Sequence, residues 1–376
     1  MDCKALHRPQ PLGILPFPQG LFLWPEEAAV AIMKGEESDL QPVLDESILG
    51  RFNSFVQDPE LDGLGVLKSE LPEDYHLLLE LAAFAGGVRA EPPQLDGEEE
   101  FKGLAGLVRA SWHLEQNDPD RARQELEDGL QACLEVSPLL AAQLLSTMAE
   151  LEDGPHRIQR YRQALELCPE RSLVGAELWL NLGICYQELA GPGQRSPLVE
   201  AVACYQRSLQ FFTRDEHPAS YALAQNNMAL AYLSMPMTEA SDQLRMGIAV
   251  QALREVLKVY TKENAPGPWA SAKMNLANSL QYLPSAHPEQ NLAEAVQIYE
   301  ELLPLRDPQR DPLGTARLLA NQANALAHLG VFEHAREKFT LSLEGFIRGG
   351  DSESARAVEE QLQALPTEKE NPLGAV

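Results

Sequence analysis

From Leu173 to Phe346 the apolar and polar positions recur over too long a span to be one amphipathic element. Four segments align on an asparagine: LWLNLGICYQEL on Asn181, AQNNMALAYLSM on Asn227, AKMNLANSLQYL on Asn275 and LANQANALAHLG on Asn321. The asparagines are separated by 46, 48 and 46 residues. Two residues after each one stands a small side chain: Gly183, Ala229, Ala277, Ala323. Five on come Tyr186, Tyr232, Leu280 and Leu326, and eight on Leu189, Met235, Leu283 and Leu329. Offsets of two, five and eight lie near one stripe of a helix, so each segment is a predicted helix with a neighbour on that stripe. A second periodic run follows each: AVACYQRSL, AVQALREVL, AVQIYEELL and AREKFTLSL. In these, small Ala201, Ala249, Ala295 and Ala335 precede Tyr205, Leu253, Tyr299 and Phe339 by four residues. The pattern predicts two helices per repeat, with a large side chain of one seated on a small residue of the other.

Paired helices with small and aromatic residues at these places resemble the tetratricopeptide repeat family. The resemblance implies an all-α, right-handed helical-repeat solenoid. In the last repeat Ala335 follows Asn321 by 14 residues, the ordinary spacing; the others have 20, 22 and 20, with loops such as AGPGQRSP, PMTEASDQ and PSAHPEQ inserted. Wording such as AQNNMALAY and LKVYTKENAPGPWA is similar to the long repeats of bacterial multi-repeat proteins, in which effector domains are often attached. No effector domain is recognisable in this chain.

Upstream, Phe101–Pro138 reads as a degenerate repeat, with Ala122 and Leu126 as the small and large residues and Asn117-Asp118-Pro119 as its turn. Leu139–Pro169 is another, with Gln143 at the asparagine position and Tyr161 as the large residue. About six helix pairs result. After Gly349-Gly350, Ser352–Leu365 forms a capping helix with Ala355, Val358 and Leu362 on one face, stopped by Pro366. Residues 1–24 form an irregular arm whose Phe17, Leu21, Phe22, Leu23 and Trp24 dock on the first helices. Helices are expected from Pro25 to Lys34, from Leu40 to Val56 and from Pro72 to Phe84. Asp58–Glu70 approaches a calcium-loop pattern but has Ser69 where the closing Glu belongs, and reads as a surface turn. The division is therefore 1–100, an acidic and partly helical N-terminal segment; 101–365, the solenoid with its cap; and 366–376, a tail.

Charge narrows the partners. The formal net charge is −26, and residues 1–100 alone hold 20 acidic against 6 basic side chains. That argues against nucleic acid, which needs clustered Lys and Arg, and against an anionic membrane. Prolines interrupt the apolar opening, so no signal peptide is legible, and no stretch reaches the length of a membrane span. Five cysteines without a CxxC or a paired framework fit a reducing compartment, and the cytoplasm is the expected location. No HExxH, Walker, GxSxG or GxGxxG context is present, so neither cofactor nor catalytic residue is assigned. Cys204, Tyr205 and Tyr299 read as core packing.

The recurring asparagine is the candidate site. Asn is a mediocre helix former, so its return in mid-helix calls for a reason. In the family this chain resembles, the matching position lines a concave groove, where an amide can both donate to and accept from a bound peptide backbone. That implicates Asn181, Asn227, Asn275 and Asn321. Asn278 and Asn324 a turn on, Gln187, Gln281 and Tyr282 beyond, and Arg317 a turn before Asn321 are expected on the same face. The alternative is that these amides only tie neighbouring helices together. Asn278, Asn321 and Arg317 partly match the family's clamp for a terminal carboxylate, but its other basic positions are missing. The implied function is non-catalytic: a scaffold, adaptor or assembly chaperone holding a protein or peptide segment. A regulatory sensor that releases the acidic N-terminal segment is the second reading, and an enzyme with its site in residues 1–100 the third.

Overall fold

The computed structural model describes residues 22–23, 42–94, 99–169, 171–236 and 242–366. Among them all regular structure is helical. The chain falls into two compact units, Met1–Glu216 and His217–Val376.

The first unit opens with α1 (Ile48–Gln57), α2 (Leu61–Glu70), a 3-10 turn at Glu73–Tyr75 and α3 (His76–Ala85). The α1 helix starts later than the pattern predicts because the Ser47 side chain accepts from the Gly50 amide and caps it there. The Asp58–Glu70 stretch, expected as a surface turn, is largely the helix α2. Its glycines are tolerated because Leu67 and Leu71 are buried and the open side of Gly63 faces the Phe55 ring. Of the arm, Phe22 and Leu23 are buried as expected. Leu23 is held by Asn53, itself fully buried. The Leu23 amide donates to Asn53 Oδ1 (2.8 Å), and Asn53 Nδ2 donates to the carbonyls of Leu23 (2.8 Å) and Val43 (3.1 Å). The helix expected over Pro25–Lys34 lies outside the described residues, as does the tail beyond Pro366.

Three helix pairs complete this unit: α4 (Glu99–Glu115) with α5 (Pro119–Cys133), α6 (Pro138–Glu150) with α7 (Gly154–Glu166), and α8 (Leu173–Leu189) with α9 (Ser196–Ser208). The turn into α5 is the one expected. Asn117 takes a left-handed φ of 61°, and Asp118 accepts from the Arg121 amide. The α4 and α5 backbones nearly touch, since a Cβ on Gly106 would lie 2.7 Å from the Glu125 carbonyl oxygen. Arg109 locks the same pair through two hydrogen bonds to Glu125 (2.7 and 2.6 Å) and reaches the Pro93 carbonyl at 3.1 Å. Tyr75 packs on Phe101 with ring centroids 5.8 Å apart, joining the first helices to α4.

The second unit holds α10 (Pro218–Ser234) with α11 (Asp242–Val256), α12 (Pro266–Tyr282) with α13 (Pro288–Leu302), and α14 (Pro312–His328) with α15 (Phe332–Gly349). Among the described residues each unit holds three such helix pairs. Gly350, at φ 76°, ends α15 in the left-handed cap that favours glycine. The capping helix α16 (Ser352–Ala364) then lays Ala355 and Val358 against Phe346, with Leu362 at the edge.

Candidate functional site

The small-and-large pattern is a physical contact. A Cβ on Gly183 would fall 2.5 Å from Tyr205 Cε1, so the tyrosine ring of α9 occupies the space a side chain on α8 would need. Ala229, Ala277 and Ala323 are fully buried, as are the large partners Leu253 and Tyr299.

That burial creates a polar requirement wherever the large residue is tyrosine, because its hydroxyl must find partners away from water. In the second unit Gln281 Nε2 donates to the Tyr299 hydroxyl at 2.6 Å, and that hydroxyl donates to Asn278 Oδ1 at 2.7 Å. Asn321 Nδ2, from the next repeat, donates to the same Asn278 oxygen at 3.0 Å. One chain of hydrogen bonds thus joins α13, α12 and α14. It also fixes how the amides point. Asn278 spends its oxygen twice and Asn321 spends its nitrogen. Among the described residues this leaves Asn278 Nδ2 and Asn321 Oδ1 as one unused donor and one unused acceptor, the complement of a peptide group. Burial pushes the Tyr299 hydroxyl's pKa upward against the opposing pull of Gln281, so it stays neutral and can donate.

The first unit repeats the device once. The Tyr205 hydroxyl donates to Gln187 Oε1 at 2.8 Å, and burial raises its pKa as well. Gln187 and Gln281 each stand six residues after their asparagine, and each faces a tyrosine. Where the large residue is Leu253 or Phe339, the corresponding places hold Leu233 and Ala327. The Tyr161 repeat departs from this, with Ala149 at the corresponding place; in the other two tyrosine repeats the glutamine that meets the tyrosine is visible in the sequence. Gln187 and Gln281 position the buried tyrosines, with the Gln281 Nε2 and Gln187 Oε1 atoms committed to them.

The remaining candidates are placed differently. Asn181, Asn227, Asn275 and Asn324 are half-buried. Asn227 has only a long contact of 3.5 Å from Asn226 Nδ2, and among the described residues the other three have no side-chain hydrogen-bond partner. Tyr282 is 63% exposed at the end of α12. Arg317 is exposed and leans toward Asp351 at 3.9 Å.

The described residues offer little reactive chemistry. Burial pushes the thiols of Cys133, Cys168 and Cys204 up to about 12, leaving them protonated and inert. Among the described residues no group of three His, Cys, Asp or Glu side chains could hold a metal, and no helix is long and apolar enough to cross a membrane.

No protein-family model matches the chain, and no curated protein matches it. Solved structures give distant likenesses. PilF of Pseudomonas aeruginosa is 14% identical over 70% of this chain and 99% of its own, with a TM-score of 0.45. BtubC of P. vanneervenii is 15% identical over 75% and 97%, at 0.38. Yeast Tom70 is 15% identical over 96% and 68%, at 0.29.

Proposed function

We propose that this protein is a non-catalytic scaffold that holds an extended segment of a protein partner along the asparagine-bearing face of its first helices. Its setting is the cytoplasm, with residues 1–100 as an acidic segment preceding the repeat array of 101–365. The observation that carries the reading is the state of the amides in the second unit. Tyr299 and Gln281 orient Asn278 and Asn321 so that a donor and an acceptor stay unspent, while Asn227, Asn275 and Asn324 carry amides that no helix–helix tie consumes. Polar groups left at this depth are matched to a peptide backbone, which offers the same two bonds at every residue.

The test uses a partner chain identified by copurification from the native cell. Its affinity for the full chain is measured beside thermal melting for Asn227→Ala, Asn275→Ala and Asn324→Ala. Loss of one neutral hydrogen bond, about 0.5–1.5 kcal/mol, predicts a few-fold to roughly tenfold weaker binding with an unchanged melting temperature. A lowered melting temperature with unchanged affinity would assign these amides to the fold and retire the site.

A further inference from the structure

The first helices of the second unit are almost free of charge. The α10 helix contains no Asp, Glu, Lys or Arg, α12 only Lys273 and α14 only Arg317, whereas their partners α11, α13 and α15 hold several each. At about 100° per residue Lys273 falls on the far side of α12 from the Asn275–Asn278 stripe, and it bonds Glu301 of α13 at 2.8 Å. The amide-bearing face of α10 and α12 is therefore uncharged, in a chain of net charge −26. We infer that the groove over α10 and α12 takes an uncharged extended segment with leucine-sized side chains, and rejects charged ones. The inference rests on the groove reading above and names the chemistry of its occupant.

Apolar side chains stand on that face beside the unspent amides. Leu223, four residues before Asn227, is 41% exposed, and Tyr282, seven after Asn275, is 63% exposed. Leu230, three after Asn227, and Met274, four before Asn278, are half-buried there. The repeat does not require these places to be apolar. Where α10 has Leu223 the other aligned repeats carry Glu177, Ser271 and Arg317, and where α12 has Tyr282 they carry Glu188, Ser234 and His328. Ala222, Ala272 and Val256 pack in one cluster, which sets α10 and α12 side by side.

The two kinds of group divide the recognition. Neutral amides bond the backbone of the segment, whatever its sequence. A leucine-sized side chain on it buries apolar surface against Leu223, Leu230 and Met274, which is favourable in proportion to the area removed from water. A carboxylate or ammonium in the same place gives up water and meets no opposite charge on α10 or α12, so it is selected against. Arg317 belongs to α14, beyond this stretch, and has Asp351 at 3.9 Å.

The experiment titrates the full chain, labelled at its methionine methyls, with an acetylated and amidated nonapeptide of alternating serine and leucine. Two counterparts carry glutamate or lysine in place of the central leucine. Met274 reports from the groove. The expected result is a saturable shift of the Met274 methyl with the leucine peptide, little changed by salt and several-fold weaker with either charged counterpart. Leu223→Gln should also weaken it several-fold, and an unmoved Met246 methyl on α11 reports that this variant is folded. A charged counterpart that binds as well as the leucine peptide, or a response indifferent to Leu223→Gln, would overturn the inference and leave the groove reading standing. So would a silent Met274 methyl if the copurified partner still binds and loses affinity in Asn275→Ala. A silent methyl with partner binding indifferent to Asn275→Ala retires the groove reading, and this inference falls with it.

Discussion

At the scale of the residue, the same chemical change has opposite consequences depending on what lies beyond the Cβ. Gly183 and Gly247 are both helical glycines. Alanine is the better helix former by about 1 kcal/mol, so Gly247→Ala, with nothing within 4 Å of the new methyl, should raise stability by about that amount. At Gly183 the methyl meets the Tyr205 ring, and overpacking of about 1–3 kcal/mol should outweigh the propensity gain. Melting temperatures of the two variants moving in the same direction would remove the close seat of Tyr205 on α8. Gln322 gives a second case. It is 1% exposed, its amide nitrogen and oxygen are buried without partners, and the matching repeats carry Leu182, Met228 and Leu276 there. Gln322→Leu should stabilise the fold by about 1–2 kcal/mol, because an unsatisfied amide leaves the core. Urea denaturation checks it, and a lowered midpoint would mean that the amide is satisfied in solution.

Among the elements, the pairs are held by two different devices. Repeats with Leu253 or Phe339 have no polar atom on the large residue, and their helix-to-helix hydrogen bonds come from elsewhere: Tyr221 reaches Glu255 at 3.4 Å and buried Ser342 donates to the Ala316 carbonyl at 2.8 Å. Those with Tyr205 and Tyr299 add a hydroxyl that recruits an amide from the first helix. The N-terminal helices use a third, in which Asn53 receives the extended backbone of Leu23 as a neighbouring strand would. Asn53→Ala should cost about 1–3 kcal/mol, since it strands the buried polar groups of Leu23. The measurement is the urea midpoint of the full chain, and an unchanged midpoint would show that the arm contributes nothing to the fold.

For the whole molecule, the buried thiols set the response to alkali. Cys133, Cys168 and Cys204 are raised from 9.0 to about 12 by burial, and Tyr205 and Tyr299 are raised too. A raised value means that the folded chain keeps its proton after the unfolded chain has lost it. The contribution is complete below the unfolded value near 9 and drains away as pH climbs toward 12. Stability should therefore hold from neutral pH to about 9 and fall beyond it, by about 1.4 kcal/mol per pH unit for each fully buried thiol. Melting in reductant between pH 7 and 11 checks the sign, and Cys133→Ala should flatten the slope.

Much of this was legible in the chain itself. The helix pairs, the seat of each large residue on a small one, the left-handed turn before α5 and the capping helix follow from the spacing of side chains along a helix, which is a local property. The α2 helix was not legible, because its local signals, two glycines and a row of acids, favour a turn until Leu67 and Leu71 find the core. The asparagines mark the limit most plainly. Sequence placed Asn275, Asn278, Asn321 and Asn324 near one stripe and treated them as equivalent. Only tertiary structure distinguished them, since which amide is spent depends on whether a tyrosine hydroxyl from another helix arrives beside it. Asn278 meets Tyr299 and the next repeat's Asn321, whereas Asn275 and Asn324 meet neither. The side chains are alike, and the distances to groups far away in the sequence decide what each can still bind.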